Sequence, residues 1–211
     1  MTMSGSPRNR FERRRSETRR ALVRAARKIL AESGDTSTSI RSIAERADVG
    51  FGSFYNHFRC KPDLFDAAVA DALEEYAQAV DERLQVLDDP AERLAGGVRL
   101  SARMAGAYPE IMRILRHSGL GRIYVGSGLA PGARHDVEQG MASGRFTATD
   151  PVVALVALHG TLLALLQLWF SHPEVDSGQA SDSMAEMLLH MLGLPADEAR
   201  DIARRPLPAA A

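Results

Sequence analysis

A chain of 211 residues with 45% hydrophobic content has room for one domain or two small ones with real cores, and its one cysteine, Cys60, excludes an internal disulfide and fits a reducing cytoplasm. The net charge of −1 conceals an asymmetry: residues 1–62 hold 14 Lys/Arg against 6 Asp/Glu, and residues 63–211 hold 12 against 21. A basic head on an acidic body is the layout of a protein that presents one end to a polyanion, the alternative being a solvated basic tail with no partner.

In chain order, 1–15 is rich in Ser, Gly, Pro and Arg and too poor in apolar residues to pack, so it reads as a disordered basic arm with no apolar stretch of the signal-peptide kind. A helix is expected from Ser16, where Leu22, Val23, Ala26, Ile29 and Leu30 recur at spacings of three and four, ending at Ser33-Gly34. Ile40, Ile43, Ala44 and Ala47 predict a short second helix capped by Thr38 or Ser39. Asp48-Val49-Gly50 is a tight connection to a third helix, Phe51–His57. A fourth begins at Pro62 and runs for about seven turns through Phe65, Val69, Leu73, Tyr76, Val80, Leu84 and Leu87, stopped by Asp88-Asp89-Pro90. Helices follow near Ala91–Ala107 and Pro109–His117, then a loop or broken helix over Ser118–Gly132, and a helix near Arg134–Ser143. Two long apolar helices, Pro151–Phe170 and about Gly178–Leu192, close the chain. No segment alternates in the manner of a strand, so the expected fold is all-α with about nine helices.

Residues 39–58 have the pattern of a helix-turn-helix, in which a short reading helix is braced by a second across a tight turn. Ile40, Ile43, Ala44, Val49, Phe54 and Phe58 are spaced to form the buried seam, which makes Phe54 and Phe58 core rather than contacts. That leaves Ser39, Arg41, Phe51, Gly52, Ser53, Tyr55, Asn56 and His57 facing outward. Arginine is bidentate to guanine and asparagine to adenine, hydroxyls and Lys61 suit phosphate oxygens, and Gly52 lets backbone approach DNA closely.

The run from Thr38 to Lys61, with its Gly-x-Phe-Tyr-x-x-Phe-x-x-Lys pattern after an Ile-Ala helix, resembles the DNA-binding domain of the TetR family, and the match extends from about Arg19 to Phe65, roughly a quarter of the chain. The resemblance implies a homodimer whose third helices enter adjacent major grooves of a partly palindromic double-stranded operator. It places Arg41, Phe51 and Ser53 where the family contacts base edges, and Ser39, Tyr55, His57 and Lys61 where it grips phosphates. Gly50 and Phe51 depart from the family, which usually has a Ser- or Thr-like cap and a polar residue there. Glycine is an adequate cap, and the contact open to Phe51 is a thymine methyl.

The domain organisation expected is thus a 1–15 arm, a 16–62 DNA-binding domain and a 63–211 effector-binding and dimerisation domain. Arg8, Arg10, Arg13, Arg14, Arg15, Arg19 and Arg20 precede and enter the first helix, suited either to minor-groove insertion or to non-specific electrostatic help. Val152–Phe170 carries no formal charge, yet Asp150 and Glu174 flank it, no basic residue adjoins it, and His159, Thr161 and Gln167 lie inside. It is therefore read as a buried oligomer helix rather than a membrane span. With Met184, Met187, Leu188, Met191 and Leu192 it matches the two-helix contribution to the family's four-helix dimer interface.

A small-molecule effector is implied too, with Tyr76, Met104, Tyr108, Met112, Tyr124, His159, Leu163 and Trp169 as candidate walls of its cavity, each of which is also ordinary core if taken singly. No cofactor, metal site or catalytic residue is expected. The six histidines form no His-x-x-x-His pair, no phosphate loop is present, and His135, Asp136 and Glu138 read as a helix face. The function expected is a DNA-binding transcription regulator, a repressor released by its effector. A ligand-independent architectural DNA-binding protein is the competitor.

Overall fold

The computed structural model of the chain describes residues 7–125, 131–148, 150–172 and 174–208, with side chains except at 7–10, 119–125 and 131. The described residues hold nine α-helices, two 3₁₀ helices and no strand: α1 Pro7–Glu32, α2 Ile40–Arg46, a 3₁₀ helix Phe51–Asn56, α3 Lys61–Leu84, α4 Pro90–Met104, a 3₁₀ turn Ala105–Ala107, α5 Pro109–Val125, α6 Pro131–Ala142, α7 Pro151–Ser171, α8 Ser177–Met191 and α9 Ala196–Arg204. They divide into two compact units, one of residues 1–72 with 110–127 and the other of 73–109 with 128–211.

In the first unit, Leu22, Ala26 and Leu30 of α1 share a sealed core with Ile43, Phe54, Leu64, Phe65, Ala68, Ile111 and Ile114. Gly34 ends α1 with φ +68°, its N–H donating to the Ile29 and Leu30 carbonyls. On α5, His117 Nδ1 lies 2.7 Å from the Leu30 oxygen, and Arg27 pairs with both Asp71 and Glu110. The helix expected from Ser16 instead begins at Pro7, so residues 7–15 of the supposed arm are helical. Periodicity missed this because it detects burial, whereas these turns rest on propensity: Pro7 opens the helix, no glycine or later proline interrupts it, and Arg13 pairs with Glu17 at 3.5 Å.

The second unit is built on α4, which packs against α6, α7, α8 and α9. Its apolar cluster runs through Leu94, Val98, Val137, Phe146, Leu155, Leu158, Leu189 and Ile202. Three aspartates cap its helices: Asp89 accepts from Ala91 N, Asp150 from Val152 N and Val153 N, and Asp176 from Gln179 N. α5 continues as helix to Val125, into the stretch expected as loop or broken helix. α9 follows the two helices expected to close the chain. Nine residues long and mostly charged, it buries Ala199, Ile202 and Ala203 alone, too few apolar positions to register as a period.

Candidate nucleic-acid interface and effector groove

Ser39 rather than Thr38 caps α2, its hydroxyl accepting from Ser42 N at 3.1 Å. The connection after α2 turns at Asp48, φ 54°, a left-handed conformation that a short polar side chain tolerates. The reading element Phe51–Asn56 is a 3₁₀ helix rather than an α-helix. Six residues with no side-chain cap at Gly50 and a glycine at position 52 give little to stabilise α-helical turns, and short runs of i→i+3 bonding are the usual result.

The seam forms as expected: Ile43, Ala44, Phe54 and Phe58 are buried, and Ile40 and Val49 are half-buried. Outward of it, Ser39, Arg41, Phe51, Gly52, Tyr55 and Asn56 are exposed, while Ser53 and His57 are half-buried. Phe51 and Tyr55 are 49% and 57% exposed, and their rings meet edge to face at 6.1 Å. Two large aromatics left in water on a surface turn need an apolar partner or a stacking one. Tyr55 also packs on the buried Phe54 at 5.3 Å, which fixes its direction.

Lys61 does more than present a charge. Its ammonium donates to the Ser37 and Thr38 carbonyls at 2.8 and 3.2 Å, clasping the loop that carries Ser39. An ammonium has three donors, so one stays available for phosphate. Burial first, then the positive charges of Arg15 and Arg19, hold the His57 imidazole below its ordinary range, and Arg19 lies 5.3 Å above the Phe58 ring. The sequence offers those two arginines as members of an arginine-rich arm, not as neighbours of His57. Only the helical course of α1 puts them beside His57.

In the second unit a shallow open groove is lined by Ala102, Ala105, Leu162, Leu165, Leu166, Trp169 and Val175, with Ser101 and Ser177 at its wall. Of the expected wall residues it includes Trp169. Tyr76 and Met104 are buried, Tyr108 half-buried, and the two tyrosine rings meet edge to face at 5.3 Å, but they stand outside the lining. The Tyr76 hydroxyl donates to the Ser101 carbonyl, and burial and then Tyr108 raise its pKa. Half-buried His159 and buried Leu163 also lie outside the lining, Met112 is buried in the first unit, and the Tyr124 side chain is outside the described residues.

Charge inside this unit is organised around three arginines. Arg93 donates to Asp136 at 2.7 Å, to Asp81 at 2.8 Å and to the Leu84 carbonyl at 2.8 Å. Burial pushes the Asp136 carboxyl above its usual range despite the Arg93 hydrogen bond. Arg99 and Arg103 share Asp182 at 2.6 and 2.8 Å. Asp136 is thus a buried partner of Arg93, and Glu138 pairs with Arg134 at 3.5 Å. Among the described residues no group of three or more His, Cys, Asp or Glu is placed to hold a metal.

Residues 22–68 match the model for bacterial regulatory proteins of the tetR family, and residues 89–205 match that for the tetracyclin repressor-like C-terminal domain. The chain is 33% identical over 82 residues to the HTH-type transcriptional regulator HbdR of Aromatoleum sp. strain CIB, covering 39% of this chain and 36% of that one. It is 30% identical over 75 residues to the HTH-type transcriptional repressor KstR2 of Mycolicibacterium smegmatis, covering 36% and 37%. These matches span little more than a third of the curated relatives' length. Among solved structures, RolR in complex with resorcinol aligns over 95% of this chain and all of that one, at 34% identity and TM-score 0.69.

Proposed function

The chain belongs to the TetR family of bacterial regulatory proteins, and from that premise we infer that it is a sequence-specific regulator of transcription, a repressor that leaves its operator when a small molecule binds. The observation that carries this is the outward set on the reading turn: Arg41, Phe51, Gly52, Tyr55 and Asn56 stand in solvent above a core closed by Ile43, Phe54 and Phe58. Arg41, Ser53 and Asn56 supply hydrogen bonds to base edges, Phe51 a contact for a thymine methyl, and Ser39, Tyr55, His57 and Lys61 bonds to phosphates. Selection from a random duplex library tests it. A recovered, partly palindromic site whose binding Arg41→Ala weakens is expected, and recovery of no preferred sequence overturns it.

The body dimerises, on this reading, through α7 and α8. Val152, Val153 and Val156 on α7 and Met187 and Met191 on α8 leave an exposed apolar stripe, whereas Leu188 and Leu192 face the chain's own core. α7 is long and apolar enough to cross a membrane by length and composition. A second copy is the better cover, because Asp150 caps the helix at one end and no basic residue anchors either flank. A DNA-binding regulator of this kind works in the cytoplasm and catalyses nothing.

The groove beside Trp169 is the proposed effector site. Its mostly apolar walls, with Ser101 and Ser177 among them, suit a small ring compound with a hydroxyl of its own, the class represented by the resorcinol in RolR. Trp169 is the chain's one tryptophan, so its fluorescence reports occupancy directly. Resorcinol and related phenols are expected to change the emission and to release bound duplex at the same concentrations. A panel that does neither overturns the assignment.

A further inference from the structure

Helical structure in α1 changes what its arginines can do. An α-helix with side chains is about 10–12 Å across, and the minor groove of B-DNA is about 6 Å wide. Arginines at positions 13–20, carried on α1, therefore cannot thread the minor groove as an extended arm does. At 100° per residue, Phe11, Arg15 and Arg19 continue the stripe that begins with Leu22, so they lie on the side of α1 that meets the reading turn. The Arg19 guanidinium sits over the Phe58 ring, and the charges of Arg15 and Arg19 are close enough to act on His57. Arg13, Arg20 and Arg24 point the other way, and Arg13 is paired with Glu17. Among the described residues Arg15 has no carboxylate partner.

We propose that the N-terminal turns of α1 form a helical phosphate clamp, with Arg15 and Arg19 gripping duplex backbone beside the step that the reading turn contacts. This rests on the DNA-binding reading of residues 39–61. Its ligand chemistry is the backbone of a double-stranded polyanion and is independent of base sequence, since guanidinium on phosphate reads no base edge. Phe11, 77% exposed, lies one helical turn before Arg15 on the same face.

The test uses the full chain and a fluorescein-labelled random-sequence duplex of about 30 base pairs, with binding followed by anisotropy as salt rises from about 50 to 200 mM. Each phosphate contact contributes about 0.9 to the slope of log K against log salt. Arg15→Gln is expected to flatten the slope by about that amount for each chain bound, and Arg20→Gln, with the same charge change on the opposite face, by less than half as much. Ser16→Pro keeps every charge but breaks the helix ahead of Arg20, and it is expected to lose the same slope as Arg15→Gln.

Equal effects of Arg15→Gln and Arg20→Gln would reduce the helix to diffuse electrostatic help and overturn the clamp. So would a Ser16→Pro variant with native slope, because an unwound arm would then serve as well. If the native chain binds this duplex and Arg41→Ala leaves its selected site as tightly held as before, the reading turn is refuted while the clamp stands. A native chain that binds no duplex overturns both.

Discussion

The reading turn and the second unit are built on opposite plans. Around the reading turn, the fully buried side chains among the described residues are apolar, Leu22, Ile43, Phe54 and Leu64 among them, and the polar groups stand outside in solvent beside Phe51 and Tyr55. In the second, arginines reach inward to carboxylates, Arg99 and Asp136 being buried, while valines and methionines of α7 and α8 are left outside. Exposed polar groups over a sealed core are a surface for a hydrophilic partner such as DNA. Exposed apolar groups over a core with internal ion pairs are a surface for a second protein. Each unit thus declares its partner by what it leaves uncovered.

The largest expected effects come from damage to the two interiors. Arg93→Ala removes hydrogen bonds to Asp136, Asp81 and the Leu84 carbonyl and leaves a buried carboxylate without its cation, at a cost of about 3–5 kcal/mol. Phe54→Ala opens a cavity in the reading head and costs about 3–5 kcal/mol by a different mechanism, lost packing. Denaturant titration separates them by pH. Because burial raises the Asp136 pKa, acid that protonates this carboxyl removes the uncompensated charge, so the Arg93→Ala deficit shrinks as pH falls and the Phe54→Ala deficit does not. Deficits with the same pH dependence would break the contrast between the interiors.

Surfaces respond more narrowly. Met187→Glu places a charge on a side chain that is 65% exposed, so the stability of a single chain is expected to change by about 0.5 kcal/mol or less. The same substitution puts an unpaired carboxylate in the proposed dimer contact, and sedimentation is expected to show a dimer becoming a monomer. A stability loss of core size would mean the stripe is covered by the chain itself. In the head, Arg41→Ala is expected to cost about 1–3 kcal/mol of operator binding with the melting temperature unchanged, since Arg41 is exposed.

This contrast also explains what the sequence could and could not reveal. The head was legible because its logic is local: Ile40 to Phe58 lie within one short stretch, and spacing alone separates the seam from the outward face. The body was legible as helices, with Pro151 and Asp150 marking α7, but not as a site. Leu188 and Met187 are adjacent and equally apolar, and periodicity does not say which is covered by the same chain. The partnership of Arg93 with Asp136 joins α4 to α6 across 43 positions, a distance over which no charge pattern is informative. Trp169 was picked as an effector contact, yet the groove's other walls, Leu162, Leu165 and Leu166, were absorbed into a helix read as interface. Lys61 was recognised for its charge, while its hold on Ser37 and Thr38 needed coordinates.

The smallest effect sharpens the head's side of the comparison. His57 is half-buried, and burial together with Arg15 and Arg19 keeps its folded-state pKa below the ordinary value of 6.5. As pH falls through 6.5 the unfolded chain takes up the proton first, so free protein loses a little stability toward acid. A phosphate facing His57 reverses the preference, because the anion favours the imidazolium and offsets the two arginines. The complex then binds more protons than free protein, and affinity for DNA rises as pH falls from about 7.5 to 6, by at most about tenfold per unit of pKa difference. His57→Gln keeps hydrogen-bonding capacity without titrating and is expected to abolish this dependence while leaving affinity at pH 7.5 near native. Anisotropy titrations at fixed salt decide it. A His57→Gln variant that retains the native pH profile would place the phosphate elsewhere, and the clamp of Arg15 and Arg19 would have to face a backbone that does not pass His57.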